Sequence, residues 1–451
     1  MQGRYDVAVV GGGFAGLSAA MTAARGGAKV VLLEAEHSLG GLGGTFAFED
    51  GVEVEKFYHH WFTNDVFVPR VVDELGMTGD VVTMPSRTGM YLNGRIWSLS
   101  TPLDLLRFTA LPLSDRIRLG LSTLRVRKVQ DWHAIEHLTI REWLEPLCGK
   151  RAYERVWEPL VRSKFGKYAD EITAVWMWKK LVLRGSTRGS AGQEQLAYFK
   201  GGFGRLAAAI GADVGKNGGE VRLGEAVLGV ETDGDRVTGL RTSRGTVEAD
   251  RYVFTPSLSI VADVFDEVVP PEWLASLRRV AYLGNICLVL RLTRSLSDTY
   301  WLNVNDPGFP FVGVIEHTNF EPPESYGGRH IVFLSKYLPE SDALYQMADE
   351  DVLGFAVPHL QRMFPDFKRE WVTNHHVWRA RFSQPIAEPH YSRLLPAEQT
   401  PLDNVLITSM AQIYPEDRGT NYAIREGRRV AREMVAVMPA EASAKAEPVA
   451  G

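Results

Sequence analysis

The sequence predicts an α/β plus α+β protein in which two domains are threaded through each other. Three observations predict it. An apolar run from Tyr5 to Val10 leads into Gly11, Gly13 and Gly16, followed by Leu17, Ala20, Met21 and Ala24 at helical spacing, so the chain opens as strand, tight turn and helix. Short strands joined by turns such as DGD and SRG return in VRLGEAVLGVETDGDRVTGLRTSRGTVEADRYVF. The final segment, DNVLITSMAQIYPEDRGTNYAIREGRRVAREMVAVM, again reads as strand, loop and helix, so the first and last segments look like pieces of one nucleotide-binding fold.

The opening glycines have distinct physical uses. Gly11 allows the turn, Gly13 lets the backbone touch a pyrophosphate, and Gly16 lets helix and strand pack closely. The helix N-terminus then faces the anion with free N–H groups and the positive end of its dipole. A second apolar run, KVVLLEAE, ends in Glu34, where a carboxylate accepts both ribose hydroxyls and repels a 2′-phosphate. The loop alone does not separate FAD from NAD.

Next comes a second glycine cluster, SLGGLGGTF, with Gly40, Gly41, Gly43 and Gly44 before Thr45. From Leu103 to about Val182 leucines and tryptophans recur at three- and four-residue spacing, which predicts helices. A helix over GGFGRLAAAIGADVGK precedes the short strands, and YLGNICLVLRLT from Tyr282 reads as a buried strand. Strands around Phe311 and Ile331, a helix near Asp351 to Met363 and a strand near Val372 to Trp378 follow. The expected division is a nucleotide-binding domain from 1–75, 192–278 and 395–440, and a substrate domain of mixed sheet plus a helical part from 76–191 and 279–394. A disordered tail is expected after about Val437, with 441–451 outside both domains.

The chain has 451 residues, 45% hydrophobic and 23% charged, which suits a globular protein with a large core. A net charge of −5 argues against nucleic acid as the main partner. Two cysteines, Cys148 and Cys287, are too few for a disulfide framework or a cysteine-rich metal site, and no metal site is expected. The first strand begins too early for a signal peptide, and no apolar run reaches membrane-span length, so the expected location is the cytoplasm.

Four segments together resemble the flavin-containing amine oxidase and protoporphyrinogen oxidase superfamily across nearly the whole chain. They are GGGFAG…EAEHSLGG, YFKGGFGRLAAAI…VRLGEAVLGVE, HHVWRARFSQPIAEPHYSRL and YPEDRGTNYAIREGRRVA. The resemblance implies a Rossmann-like FAD-binding domain. Its FAD contacts would come from Gly11, Gly13, Phe14, Ala15, Gly16, Glu34, Ala35, Gly40, Gly41, Gly43, Gly44, Thr45, Val227, Arg418, Gly419, Asn421 and Tyr422. The last helix, opened by Gly419 and Asn421, would point its N-terminus at the pyrimidine end of the flavin, where negative charge gathers on reduction. No cysteine lies near that segment, which implies non-covalent FAD. The sequence departs from amine oxidases in having no lysine from Gly284 to Leu290, the strand in which they carry one near flavin N5, which argues against amine oxidation.

EKFYHHWFTND, Glu55 to Asp65, follows the second glycine cluster. His59 and His60 suit an acid or base near neutral pH, and they suit equally one core histidine and one hydrogen-bonding prop. This stretch, with GMYLNGRIWSLSTPLDLLRF, also resembles the N-terminal part of UDP-galactopyranose mutases, in which reduced flavin attacks a sugar carbon. Tyr58, Arg87, Trp378 and Tyr414 are the substrate candidates, and Arg87, Arg95, Arg162 and Lys164 suit an anion. Trp157, Phe165, Tyr168, Trp176 and Trp178, in a part resembling protoporphyrinogen oxidases and carotenoid desaturases, suit a flat apolar substrate or an ordinary core.

LDLLRFTALPLSDRIRLGLSTLRVRKVQ mixes leucines with six basic residues and suits either a peripheral contact with an anionic membrane at the cytoplasmic face or a core-facing helix with a basic outer side. The expected function is FAD-dependent oxidation, an oxidase, dehydrogenase or desaturase type of hydride transfer from a substrate C–H to flavin N5, acting on a small hydrophobic or sugar-linked molecule. A mutase-like enzyme acting on a nucleotide- or lipid-linked sugar, and a non-catalytic flavin-bound binding protein, are the alternatives.

Overall fold

The computed structural model describes residues 4–99, 101–186 and 194–436. The chain begins with β1 (Tyr5–Val10), α1 (Phe14–Arg25), β2 (Val30–Glu34) and α2 (Phe67–Glu74), then a hairpin of β3 (Thr88–Leu92) and β4 (Arg95–Ser98). A helical part follows: α3 (Pro102–Arg107), α4 (Leu113–Val126), α5 (Ile140–Cys148), α6 (Glu158–Phe165) and α7 (Ala174–Ser186). After α8 (Gly202–Lys216) come β5 (Glu220–Leu223), β6 (Val227–Asp233), β7 (Arg236–Thr242), β8 (Gly245–Val247) and β9 (Ala249–Phe254). The last part holds β10 (Tyr282–Leu292), β11 (Trp301–Val304), β12 (Gly313–Glu316), β13 (His330–Leu338), α9 (Asp349–Met363), β14 (Val372–Pro385), β15 (Val405–Ile407) and α10 (Thr420–Ala436).

Two sheets organise these elements, and each is assembled from distant pieces of chain. The first is parallel, in the order β5-β2-β1-β9-β15. Its strands are buried on both faces: Val7, Val9, Val30 and Leu32 pack into one apolar cluster with α1, α8 and α10, while Ala8, Val10, Val31 and Leu33 pack into another with β6–β8. Continuous apolar strands of this kind are what a doubly covered parallel sheet requires. Parallel pairing also needs a crossover between neighbours, which α1 supplies between β1 and β2.

The second sheet is mixed, in the order β14-β10-β13-β12-β11-β3-β4. Alternation along β10 sends Ile286, Leu288 and Leu290 toward α9 and sends Cys287 and Val289 to the face that meets the parallel-sheet unit. Acidic Asp349, Glu350 and Asp351 open α9 and Arg362 lies in its last turn, matching the helix dipole. The helical part forms its own apolar cluster, with α5 entered through a Thr139–Glu142 capping box and stopped by Gly149 at φ +90°.

Several expectations change. The strand expected around Phe311 begins at Gly313, and Phe311 is a buried residue ahead of it. The strand expected over Val372 to Trp378 runs on to Pro385. Trp301–Val304 is a strand that sequence reasoning missed: only four residues long, it pairs in parallel with Thr88–Tyr91 and antiparallel with Gly313–Ile315. The expected domain boundary at 191/192 and the tail after Val437 lie outside the described residues.

Candidate active site

The loop after β1 leaves room for a ligand where the sequence asks for one. A Cβ on Gly16 would overlap the Gly11 carbonyl oxygen, and Gly11 has φ +102° with Thr255 Oγ1 2.5 Å from where its Cβ would sit. A Cβ on Gly13, by contrast, would meet nothing within 4 Å, so the open space lies over this residue. Gly13 is the N-cap of α1 and offers no side-chain hydrogen bond, which leaves first-turn N–H groups for an anion. Glu34 closes one side, accepting from the Gly12 N–H at 2.5 Å and the Glu36 N–H at 2.8 Å. The second glycine cluster docks on this loop: the Gly40 N–H donates to the Gly12 carbonyl, and Gly41 packs against Gly13.

A cavity of about 370 Å³ lies between the two sheets and the helical part. Its walls come from several separate stretches of chain. Tyr58, His59, His60 and Asp65 form one side, and Trp157, Lys164, Trp176 and Lys180 of the helical part form another. Asn285, Trp301, Ser335 and Tyr337 line the mixed sheet, and Ser383, Gln384, Asp417, Arg418 and the first turn of α10 complete the wall. β14 reaches the cavity through an irregularity: Leu283 pairs with Gln384 but Asn285 pairs with Ala380, so two extra residues bulge out of β14 just before Ser383 and Gln384.

The polar groups are ordered. His59 Nδ1 contacts the Phe57 carbonyl at 2.7 Å, which makes Nδ1 the donor, and burial pushes the pKa of His59 down to about 4. A neutral imidazole with Nε2 as acceptor results. His60 Nδ1 pairs with Tyr300 Oη at 2.9 Å. Burial, reinforced by Asp417, raises Asp65 to about 6. Burial also works to raise Asp417, but Lys180, which forms an ion pair with it, and Lys164 overcome this and hold it below the usual carboxylate range. Arg418 donates twice to Gln384 Oε1, at 2.9 and 3.2 Å. Asn285, 2% exposed, donates to Ser335 Oγ at 2.9 Å and keeps a carbonyl oxygen with no partner among the described residues.

Comparison with known proteins settles what kind of chain this is. The model of the family described as flavin containing amine oxidoreductase matches residues 14–435. The chain belongs to that family. As a flavin-containing amine oxidoreductase it is a flavin-dependent oxidoreductase. It is 23% identical over 431 residues to the 15-cis-phytoene desaturase of Arabidopsis thaliana, covering 88% of this chain and 74% of the relative. Among solved structures it resembles a reduced UDP-galactopyranose mutase, with a TM-score of 0.76, 16% identity and coverage of 98% and 97% of the two chains. It also resembles the cyclohexylamine oxidase of Brevibacterium oxydans IH-35A, with a TM-score of 0.69, 15% identity and coverage of 96% and 99%. These structural likenesses show the fold.

In this amine oxidoreductase the expected residues fall into two groups. Around the glycine loop stand Gly11, Gly13, Phe14, Ala15, Gly16, Glu34, Ala35, Gly40, Gly41, Gly43, Gly44 and Thr45, and Val227 opens β6 just beyond Glu34 and Glu225. Around the cavity stand Tyr58, His59, His60, Arg418, Gly419, Asn421 and Tyr422. Three substrate candidates lie away from this cavity. Arg87, just ahead of β3, is exposed and paired with Asp298. Trp378 does not line the cavity; it packs between Phe46 and His376 under the Lys56 ammonium. Tyr414 meets Trp132 and Tyr391 edge to face beside a separate small crevice.

Asn421 also differs from expectation in detail, since its Oδ1 accepts from Phe67 and Val68 N–H and caps α2. Of the anion candidates, Lys164 reaches the cavity, while Arg162 pairs with Glu158 and Asp170 and Arg95 lies over Trp97. Trp157 and Trp176 line the cavity, and Phe165 and Trp178 are core. Cavity residues that the sequence reading missed include Asn285, Trp301, Ser335, Tyr337, Lys180, Ser383, Gln384 and Asp417. For Asn285 a signal existed, since a polar residue inside an otherwise apolar strand demands a partner.

Proposed function

We propose that the chain binds FAD non-covalently along the glycine loop and oxidises a substrate C–H in the cavity between the sheets. The open space over Gly13, the uncapped N-terminus of α1 and the Glu34 carboxylate fit a pyrophosphate and an unphosphorylated ribose. Gly11, Gly16, Gly40, Gly41, Gly43 and Gly44 keep the backbone close to that site, while Arg418, Gly419, Asn421 and Tyr422 would hold the isoalloxazine end. The first turn of α10 would favour negative charge there. Both cysteines are buried and neither lines the cavity, which supports non-covalent attachment. When bound, the flavin supplies a two-electron acceptor for hydride.

The observation that carries the reading is the continuous run of one cavity from His59 and Asn285 to the first turn of α10. His59 presents neutral Nε2 and can take or steer a proton without first losing one. The free Asn285 carbonyl oxygen accepts from a substrate O–H or N–H and fixes which carbon lies nearest the flavin. Trp157, Trp176, Trp301 and Tyr58 exclude water and hold an apolar body.

Lys164 and Lys180 of the helical part and Arg418 beside α10, all lining the cavity, favour a second reading, a redox-neutral rearrangement of a nucleotide- or lipid-linked sugar. The deciding experiment is anaerobic titration of the purified yellow protein. Bleaching of the flavin band by an allylic, porphyrin-like or amine compound, with no response to sugar nucleotides, supports oxidation. Sugar rearrangement by dithionite-reduced protein, with no bleaching by any substrate, overturns it.

A further inference from the structure

Helix α4 is apolar on two opposite faces. Leu119, Ser122 and Val126 point inward. Leu113, Ile117, Leu121 and Leu124, spaced i, i+4, i+8 and i+11, make a stripe on the other side and are each between 49% and 55% exposed. Leu103 and Leu106 of α3, 52% and 50% exposed, extend it. Arg116 donates to the Leu106 carbonyl and ties the two helices together. Six of the nine large apolar side chains exposed among the described residues therefore lie on this one surface.

The charges around the stripe are patterned. On the helical wheel Arg118 and Arg125 flank it on one side and Arg116 and Arg127 on the other, with Lys128 at its C-terminal end. Asp104 is engaged in the cap of α3, and Asp115 pairs with Arg151. The chain as a whole carries −5, so cations concentrated here run against its overall charge.

We propose that α3 and α4 form a docking surface that lies in the interface of a bilayer rich in anionic lipid. The leucines and Ile117 enter the acyl boundary while the long arginine and lysine stems lie along the apolar stripe and present their heads to lipid phosphates. Charge complementarity selects this occupant. A second copy docking through the same face brings the flanking arginines of both copies together, which like-charge repulsion opposes. The surface also shares the helical part with α7, whose Met177 and Leu181 line the cavity, so docking brings the apolar side of the candidate site close to lipid.

Flotation of the full-length flavoprotein with vesicles tests this, using phosphatidylcholine alone and phosphatidylcholine with about one third phosphatidylglycerol. The protein is expected to float with the anionic vesicles and to remain behind with the neutral ones. Arg125→Glu/Lys128→Glu should weaken binding at least about tenfold, and raised salt should do the same. Ile117→Asp/Leu121→Asp should abolish flotation while leaving the flavin spectrum and unfolding midpoint unchanged. Both positions are exposed, and the charge-reversal pair gives an independent readout should that double variant misfold. Failure to float with anionic vesicles, or equal flotation of wild type and the charge-reversed variant, overturns the proposal. So does an Ile117→Asp/Leu121→Asp change that only dissociates a dimer, which assigns the face to a second copy.

Discussion

Asn285 and Asp65 show how single side chains in the cavity are poised. Replacing Asn285 by Val removes the unpaired carbonyl oxygen, and a lost neutral hydrogen bond of about 1 kcal/mol raises KM roughly five- to tenfold with kcat changed less. Steady-state kinetics separate the two, and an unchanged KM would remove Asn285 from substrate contact. Asp65, held at about 6, binds a proton more tightly folded than unfolded. Its contribution is therefore complete at low pH, falls as pH rises from about 4 to about 6, and costs on the order of 2 kcal/mol at neutrality. His59 has the opposite sign: held at about 4, it favours the folded state above about 6.5 and loses that advantage as pH falls. Over pH 4–6 the two oppose. Asp65→Asn should raise the thermal midpoint at pH 7 and expose a steeper acid loss from His59; equal profiles for wild type and variant would contradict the burial argument. The pair at 59 and 60 was legible in the sequence as acid–base candidates. The tautomer was not, because it depends on the Phe57 carbonyl and on Tyr300, some 240 residues away.

At the scale of elements, α1 and α10 meet so closely that Gly427 is required. A Cβ there would fall inside the radius of the Ala15 carbonyl oxygen, and backbone cannot step aside as a side chain can. Gly427→Ala should cost about 2–3 kcal/mol and weaken flavin retention together, because α10 carries the turn that lines the cavity. Flavin fluorescence and circular dichroism followed on heating would report both losses; loss of stability with flavin binding intact would separate the packing from the site. The glycine motif was readable because G-x-G-x-x-G has a local cause. Gly427, alone in a helix, has none until its partner helix is known. The same limit bears on the parallel pairing of Trp301–Val304 with β3 and on the bulge in β14, which rest on strands distant in sequence.

For the whole molecule, the interleaving was legible from the return of sheet-like segments at both ends of the chain, and the placement of the cavity was not. Arg87, Trp378 and Tyr414 looked equivalent to Tyr58 by composition, yet the orientation of two sheets puts only Tyr58 on the wall. Since the parallel sheet and the mixed sheet each take strands from separated segments, the folded unit should unfold in one transition when flavin release and backbone signals are followed in denaturant. Two resolved transitions would mean that the sheets are independent. A chain threaded in this way also has a history during synthesis. β1, the central strand, lies between β2 and β9. Its second neighbour is complete only when residue 254 has left the ribosome, roughly 10–50 s later at ordinary translation rates. Its last helix cover, α10, ends at Ala436. For that interval the nascent chain presents an apolar strand edge with nothing to pair, so yield of folded protein should depend on chaperone supply and growth temperature more than on the stability of the finished enzyme.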